Sequence, residues 1–567
     1  MKQTKRKLTA ILLCGLLLLS GCGAQNATED ASSTDTETAS SGDITATTVS
    51  AIDTSSVFSD RDLEGTYDES AAIPITLNGD SASCDSSSVV IDGSTITITA
   101  EGVYLISGTL NDGQIIVNAG DTEKVQLVLA GADITSSTSA AIYALEADKV
   151  FVTLAEGTEN TLTNGGEYIA IDDNNIDAVI FAKTDLTLNG SGSLTINARA
   201  GHGVVSKDEL VITGGSYTIT AASHGLSGKD SIAIADGTFA ITSGKDGIHA
   251  ENSDDTSLGW LYIQDGSFTI TAQGDAISAV GALQIDDGTF DLYTGEGSAS
   301  VEMTNSDQFG GGQHGGWTNQ ATAPNTQTTS TTQTEEDSTS QKGIKGESTY
   351  AINGGTFTID SADDCLHAGG AMTIASGEFT LNSGDDAVHC DDALTIQSGT
   401  FTIPYCYEGI EGLSITIEDG VFDITSNDDG LNAAGGADSS GFGGFGNRQQ
   451  DTFAASSDSF ILINGGTFTV VSIGDSVDSN GSLTINGGTL NLTCNSSGNT
   501  AIDCDGTYTN NGGDVTTNDG SESNPGQMGG GKGSRAGMEG QTGTAPSGKR
   551  GQDGTAPSGD MGQTPGA

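Results

Sequence analysis

Basic residues are scarce in this chain: 19 Lys and Arg stand against 76 Asp and Glu in 567 residues, a formal charge of −57. Phosphate recognition needs the opposite sign, so nucleic acid is excluded as a partner. Cysteine is scarce too. Apart from Cys14 and Cys22 near the start, only Cys84, Cys365, Cys390, Cys406, Cys494 and Cys504 remain, which is no disulfide scaffold, and no Cys-x-x-Cys spacing offers a zinc or redox site. Cys494 and Cys504 are the one pair left open as a bridge. Trp260 and Trp317 are the only tryptophans, so aromatic platforms for sugar stacking are hard to find. No segment keeps an amphipathic helical period, and no apolar run after the first 20 residues approaches a membrane span.

What is present begins with Lys2, Lys5, Arg6 and Lys7, an apolar run from Leu8 to Leu19, and Leu19-Ser20-Gly21-Cys22. This reads as a secretory signal over 1–21 with a lipobox, predicting that Cys22 carries lipid and that the protein is tethered to the extracellular face of the cell membrane by that anchor alone. Loss of the four basic residues takes the charge from −57 to −61. The Ser/Thr-rich segment 22–57 reads as a flexible stalk.

The dominant signal is a repeat. Gly-x-Phe/Tyr and related markers at Gly215, Gly237, Gly266, Gly288, Gly355, Gly377, Gly399, Gly420, Gly466 and Gly488 are mostly 21 or 22 positions apart. Such a period with strand-like content predicts an all-β solenoid, a parallel β-helix of about 22 residues per rung. In Thr356-Phe357-Thr358-Ile359 the apolar residues fall on one face, predicting a ladder of stacked aromatic rings inside. Irregular first rungs and a cap are expected over 58–185, and the regular array over 186–517. Low-complexity insertions interrupt it at 303–347 and 435–458, and a Gly/Ser/Pro-rich tail follows over 518–567.

Stacking converts a sequence offset into a column. Nine residues after the glycines stand His224, Asp246, Asp275, Asp364, Asp386, Glu408, Asp429 and Asp475; three further on stand Ser227, His249, Ser278, His367, His389, Glu411, Asn432 and Asp478. Carboxylates one rung apart, about 4.8 Å, repel or raise each other's pKa unless a cation lies between them. Calcium, a hard ion that favours oxygen, is the expected cofactor. A plainer reading is that these aspartates end turns and accept local amide hydrogen bonds. His249, His367 and His389 share one offset; transition-metal ligation with a neighbouring Asp and a shared packing niche both remain open.

Gly384-Asp385-Asp386-Ala387-Val388-His389, Tyr407-Glu408-Gly409-Ile410-Glu411-Gly412 and Asp428-Asp429-Gly430-Leu431-Asn432, with Ser206 to Leu210, Gly228 to Ser231 and Leu154 to Asn160, resemble the motifs of a bacterial carbohydrate-binding β-helix family. Its type member is a clostridial surface protein that binds cellulose and polygalacturonate. The resemblance covers about 72–515 and implies a right-handed, pectate-lyase-like β-helix with calcium bound along it and no established catalysis. It implies calcium ligands at Asp363, Asp364, Asp385, Asp386, Glu408, Glu411, Asp428 and Asp429; the column itself adds Asp246 and Asp275. His224 stands where many members show Asp, and Cys365 replaces a Gly.

Three functions fit these residues. The first is a monomeric, non-enzymatic binder of acidic pectin-like polysaccharide or cellulose, with calcium bridging carboxylates of protein and ligand. The second is a calcium-dependent polysaccharide lyase, for which Lys245 beside Asp246 is the candidate base. The third is a structural adhesin that recognises another protein.

Overall fold

The computed structural model describes residues 50–301, 303, 340–434 and 458–526, all within one compact unit. Cys22 and the signal lie outside them, as do nearly all residues of the two insertions and the tail beyond 526.

A regular rung has three short strands, as in Thr356–Ser361, Leu366–Ala368 and Met372–Ile374. Each pairs in parallel with its counterpart one rung on: Phe357 with Phe379, His367 with His389, Ile374 with Ile396. The result is the expected parallel β-helix, and its sheets run without a break from the irregular strands near Ile73 through to Thr517. Alternation aims Phe357 and Ile359 inward and leaves Thr356 and Thr358 exposed. From Phe239 to Phe468, eight phenylalanines stack nearly parallel with centroids 4.5–5.0 Å apart.

The Gly-x-Phe marker has a physical cause. At Gly377 the backbone has φ 146°, and an added Cβ would lie 2.7 Å from the Phe379 ring, which folds back over it. Only glycine accepts both the φ and the ring.

The structure moves three boundaries. Residues 50–57 are not stalk. The amides of Ala51 and Ile52 donate to Gln284 Oε1 at 2.9 and 3.1 Å, and Phe58 packs on Tyr262. Beyond them, Asp62 accepts from Lys149 Nζ at 2.7 Å and from Thr187 Oγ1 at 2.6 Å. This strap crosses the outer face of the third strands, which is why Lys149–Leu154 is buried on both faces rather than alternating. The 303–347 insertion ends sooner than expected, since Ile344–Gly346 is already a strand paired with Ile277–Ala279. The tail starts later. Asn518 bonds both the amide and the carbonyl of Cys494, and Asp519 accepts the Ala501 amide, so these residues close the last rung. All six cysteines of the described residues are free thiols, so Cys494 and Cys504 form no bridge.

Candidate functional site

The acidic column lies in the turn between the first and second strands. An inward serine ending the first strand donates to a carbonyl of that turn: Ser361 to Asp364 at 2.9 Å, Ser383 to Asp386 at 2.8 Å, Ser426 to Asp428 at 3.0 Å. Repetition of this bond aims successive carboxylates the same way. One oxygen then knits the rungs together. Asp246 Oδ1 accepts the Asp275 amide at 2.9 Å, Asp364 Oδ1 the Asp386 amide at 3.0 Å, and Asp429 Oδ1 the Asp475 amide at 2.5 Å. The plainer role of the aspartates is thus real, but in Asp246, Asp364 and Asp386 the second oxygen faces other charged side chains.

Three environments follow along the column. At its amino-terminal end, Asp246 Oδ2 lies 2.7 Å from His249 Nδ1 and 3.5 Å from His224 Nδ1. Burial, aided by the charge of His249, lowers the His224 pKa to about 3. Burial also opposes a charge on His249, but Asp246 and Glu251 outweigh it and raise its pKa to about 9. Lys245, the candidate base, is half-buried here, and its charge helps keep His202 and His224 neutral.

In the middle, the expected calcium pair Asp363 and Asp364 is bridged by an ammonium. Lys342 Nζ lies 3.0 Å from Asp363 Oδ1 and 2.7 Å from Asp364 Oδ2, with all three side chains buried. Burial alone would raise the Asp364 pKa, but Lys342 and His367 hold it well below the usual carboxylate range. Asp275 spends Oδ1 on the Lys342 amide and Ser340 hydroxyl, both at 2.7 Å. Burial and the charge of Asp246 still push its pKa up to about 7.

Toward the carboxyl-terminal end the carboxylates outnumber their cations. His389 Nδ1 lies 3.0 Å from Asp386 Oδ2 and 2.7 Å from Glu411 Oε2. Burial, then Asp385 and Glu411, nevertheless raises the Asp386 pKa well above normal. Glu408 accepts from Asn432 Nδ2 at 2.9 Å. Asp428 and Asp429 converge beneath Gly474, where an added Cβ would lie within 2.5 Å of both. Burial, then Asp478 and Asp428, raises Asp429 well above its ordinary value. Burial also pushes Asp475 up to about 8, against the Thr500 amide and with help from Asp478 and Asp503. Asp475, Asp478 and Asp503 bring one oxygen each within 4.8 Å of one another, as do Asp363, Asp364 and Asp385.

A second concavity, an open groove of about 600 Å³, runs along the marker glycines at the far end of the first strands and is lined by Asp287, Gly355, Glu378, Thr400 and Asp419 among others. Among the described residues no aromatic or basic side chain lines it.

Against this geometry, the description of one protein family fits two long stretches: carbohydrate-binding domain-containing proteins match residues 92–387 and 385–532. The chain belongs to this family. A carbohydrate-binding domain-containing protein of Acetivibrio thermocellus is 43% identical over 128 residues, 22% of this chain and 45% of its own. The matched part thus spans less than half the length of that relative. The solved structure of a polysaccharide lyase-like protein from C. thermocellum, as its gadolinium derivative, shares 36% identity over 40% of this chain and 92% of that one, with a TM-score of 0.39.

Lys342 and Lys345 are column residues that the repeat did not reveal, because they fall in a rung whose marker strand precedes a low-complexity insertion. Asp475 and Asp478 share the column offsets, yet they were not among the expected ligands. Asp503 stands 15 residues after the marker Gly488, outside the offsets of nine and twelve that define the column.

Proposed function

We propose that this carbohydrate-binding family member is an extracellular, lipid-anchored binder of acidic polysaccharide that holds calcium along the carboxyl-terminal part of its column and does not cleave its ligand. The observation that carries this reading is the cluster of buried or half-buried carboxylates from Asp386 to Asp503, several with raised pKa values because each is desolvated beside others. Oxygen donors converging at this density suit calcium. The bound ion then supplies the attraction between two polyanions. The protein acts as a monomer.

Position argues against a lyase. Lys245 lies four column positions from Asp386, the nearest carboxylate of that cluster, about 19 Å at about 4.8 Å per rung, whereas β-elimination needs the base beside the metal-held uronate. The expected result is retention in a polygalacturonate affinity gel with calcium, release by chelator, and no ultraviolet absorbance from unsaturated uronates. Retention in chelator overturns the calcium bridge. Absorbance that is lost in Lys245→Ala establishes the lyase instead.

Stability should respond to calcium and pH together. A carboxyl group with a folded pKa near 8 stays protonated in the fold while it ionises in the unfolded chain above about pH 4, so its contribution falls as pH rises through that window. Calcium reverses this by favouring the ionised fold. At a concentration a hundredfold above Kd, each ion adds about 2.7 kcal/mol. The calcium-induced rise in Tm is therefore expected to be large at pH 8, small at pH 5, and reduced by Asp475→Asn. A calcium shift equal at both pH values would contradict the assignment.

A further inference from the structure

The turn between the first and second strands changes length at one rung. Thirteen residues, 165–177, stand between Glu159–Asn164 and Ala178–Ala182, where a regular rung has four, 362–365. Through Tyr168 and Ile176 this loop packs on the outward side of the second strands. There Tyr143 and Phe181 meet edge to face at 5.8 Å, in a small apolar cluster apart from the solenoid core. Few bonds hold the loop down. Asn164 accepts the Gly166 amide at 2.8 Å, and the Ile169 amide donates to the Thr138 carbonyl at 2.9 Å. The Tyr143 hydroxyl donates to Asp172 at 2.6 Å and accepts from Asn174 at 2.8 Å. Gly166, with φ 111°, supplies a hinge at the start of the loop. Ile169 and Ile171 remain exposed.

This closed arrangement leaves polar atoms buried without partners. Ser139 Oγ, Tyr168 Oη, Asp177 Oδ1 and His202 Nδ1 are all buried and make no hydrogen bond. Register brings them together. Ser139 and Asp177 each stand three residues before a paired isoleucine, Ile142 and Ile180, and His202 stands two before Val204, which pairs with Ile180. The Tyr168 ring lies on the same turn, its edge 2.9 Å from where a Cβ on Gly201 would sit. Buried polar groups are nearly always bonded, so four exceptions in consecutive rungs call for a shared cause. Together they offer hydroxyl donors, a carboxylate acceptor and an imidazole nitrogen, a set that matches the hydroxyl groups of a sugar. Burial, aided by the charge of Lys207, lowers the His202 pKa to about 4, so the imidazole is neutral at pH 7. The same ammonium opposes the burial that raises the Asp177 pKa. Lys207 Nζ lies 5.4 Å over the Phe181 ring, and it forms no ion pair among the described residues. Aromatic rings beside a few fixed polar groups are the usual lining of a small-ligand site.

We propose that loop 165–177 is a flap over a sugar-binding recess. It lifts on its glycine hinge, and one pyranose unit of an acidic polysaccharide then lies against Tyr168 and Phe181, with hydroxyl groups on Asp177 and His202 and its carboxylate toward Lys207. Parallel pairing on both sides fixes the second strands, so the loop is the part that moves. The choice of ligand rests on the acidic-polysaccharide reading above, but the recess needs no calcium. It engages too short a stretch of chain to retain a polymer in a gel by itself.

Calorimetric titration of the full chain with trigalacturonate in chelator tests this. Binding should saturate, and neutral galactotriose should bind about tenfold more weakly, the loss expected of one charged hydrogen bond. Tyr168→Phe, Asp177→Asn and Lys207→Met should each weaken trigalacturonate binding about fivefold or more. Tyr168→Phe should also leave the Tm of the free protein unchanged or higher, because the hydroxyl it removes is buried without a partner. A tyrosine that served only the fold would instead lower Tm and leave binding alone, which overturns the proposal. No binding in chelator overturns it too, as does equal affinity for galactotriose or binding that all three variants leave intact. The calcium-dependent gel assay reads capture at Asp475 and stands or falls separately from this titration.

Discussion

Replacing Lys342 with Ala should destabilise the protein by about 3–5 kcal/mol, the usual consequence of removing one partner from a buried ion pair. The ammonium lies between Asp363 Oδ1 and Asp364 Oδ2, with 5% of the lysine side chain, 6% of the Asp363 side chain and none of the Asp364 side chain exposed. Its loss leaves two carboxylates desolvated against each other, and protonating one of them is the remaining escape. The loss should therefore be greatest at neutral pH and should shrink as pH falls toward 4. It should also be offset by calcium, because Asp363, Asp364 and Asp385 already converge closely enough to share an ion. Chemical denaturation of Lys342→Ala in chelator and in millimolar calcium checks both parts. A variant as stable as the parent in chelator would mean that the ammonium is not the charge that holds this rung. Lys342→Met, which keeps the stem and removes the charge, separates lost packing from lost charge.

Lys342 also marks the limit of what the sequence could reveal. The repeat defined the strands, the inward ladder and the register of Asp246, Asp275, Asp364, Asp386 and Asp429, because each rests on a local pattern copied from rung to rung. It did not define which cation each carboxylate meets. Lys342 reaches the column from the far side of an insertion, and Asp503 from a final rung in which it stands 15 rather than nine or twelve residues after the marker Gly488. The strap was hidden for a related reason. Residues 50–57 have a stalk-like composition, and what orders them is contact far along the chain, as in the bond from the Ala51 amide to Gln284, 233 positions away. The sequence did show that His224 breaks an acidic column. It could not show that His249 is held between Asp246 and Glu251.

Phe357→Ala should cost a similar 3–5 kcal/mol, and unlike the lysine change it should do so with or without calcium. The ring is about 1% exposed and is stacked between Phe290 at 4.7 Å and Phe379 at 4.9 Å. Truncation opens a gap that strands in fixed register cannot collapse to fill, since the backbone of each rung is held by parallel hydrogen bonds to the rungs on either side. A solenoid's stability is a sum of rungs and the interfaces between them, so one missing ring weakens two neighbouring interfaces at once. Thr358→Ala, one residue along on the exposed face, should stay within about 0.5 kcal/mol of the parent. Equal losses at the two positions would reverse the inward face assigned to this strand. A loss at Phe357 that disappears in calcium would show that the ladder and the acidic column are one cooperative element, whereas the geometry places the rings inside the solenoid and the carboxylates in a turn at its edge.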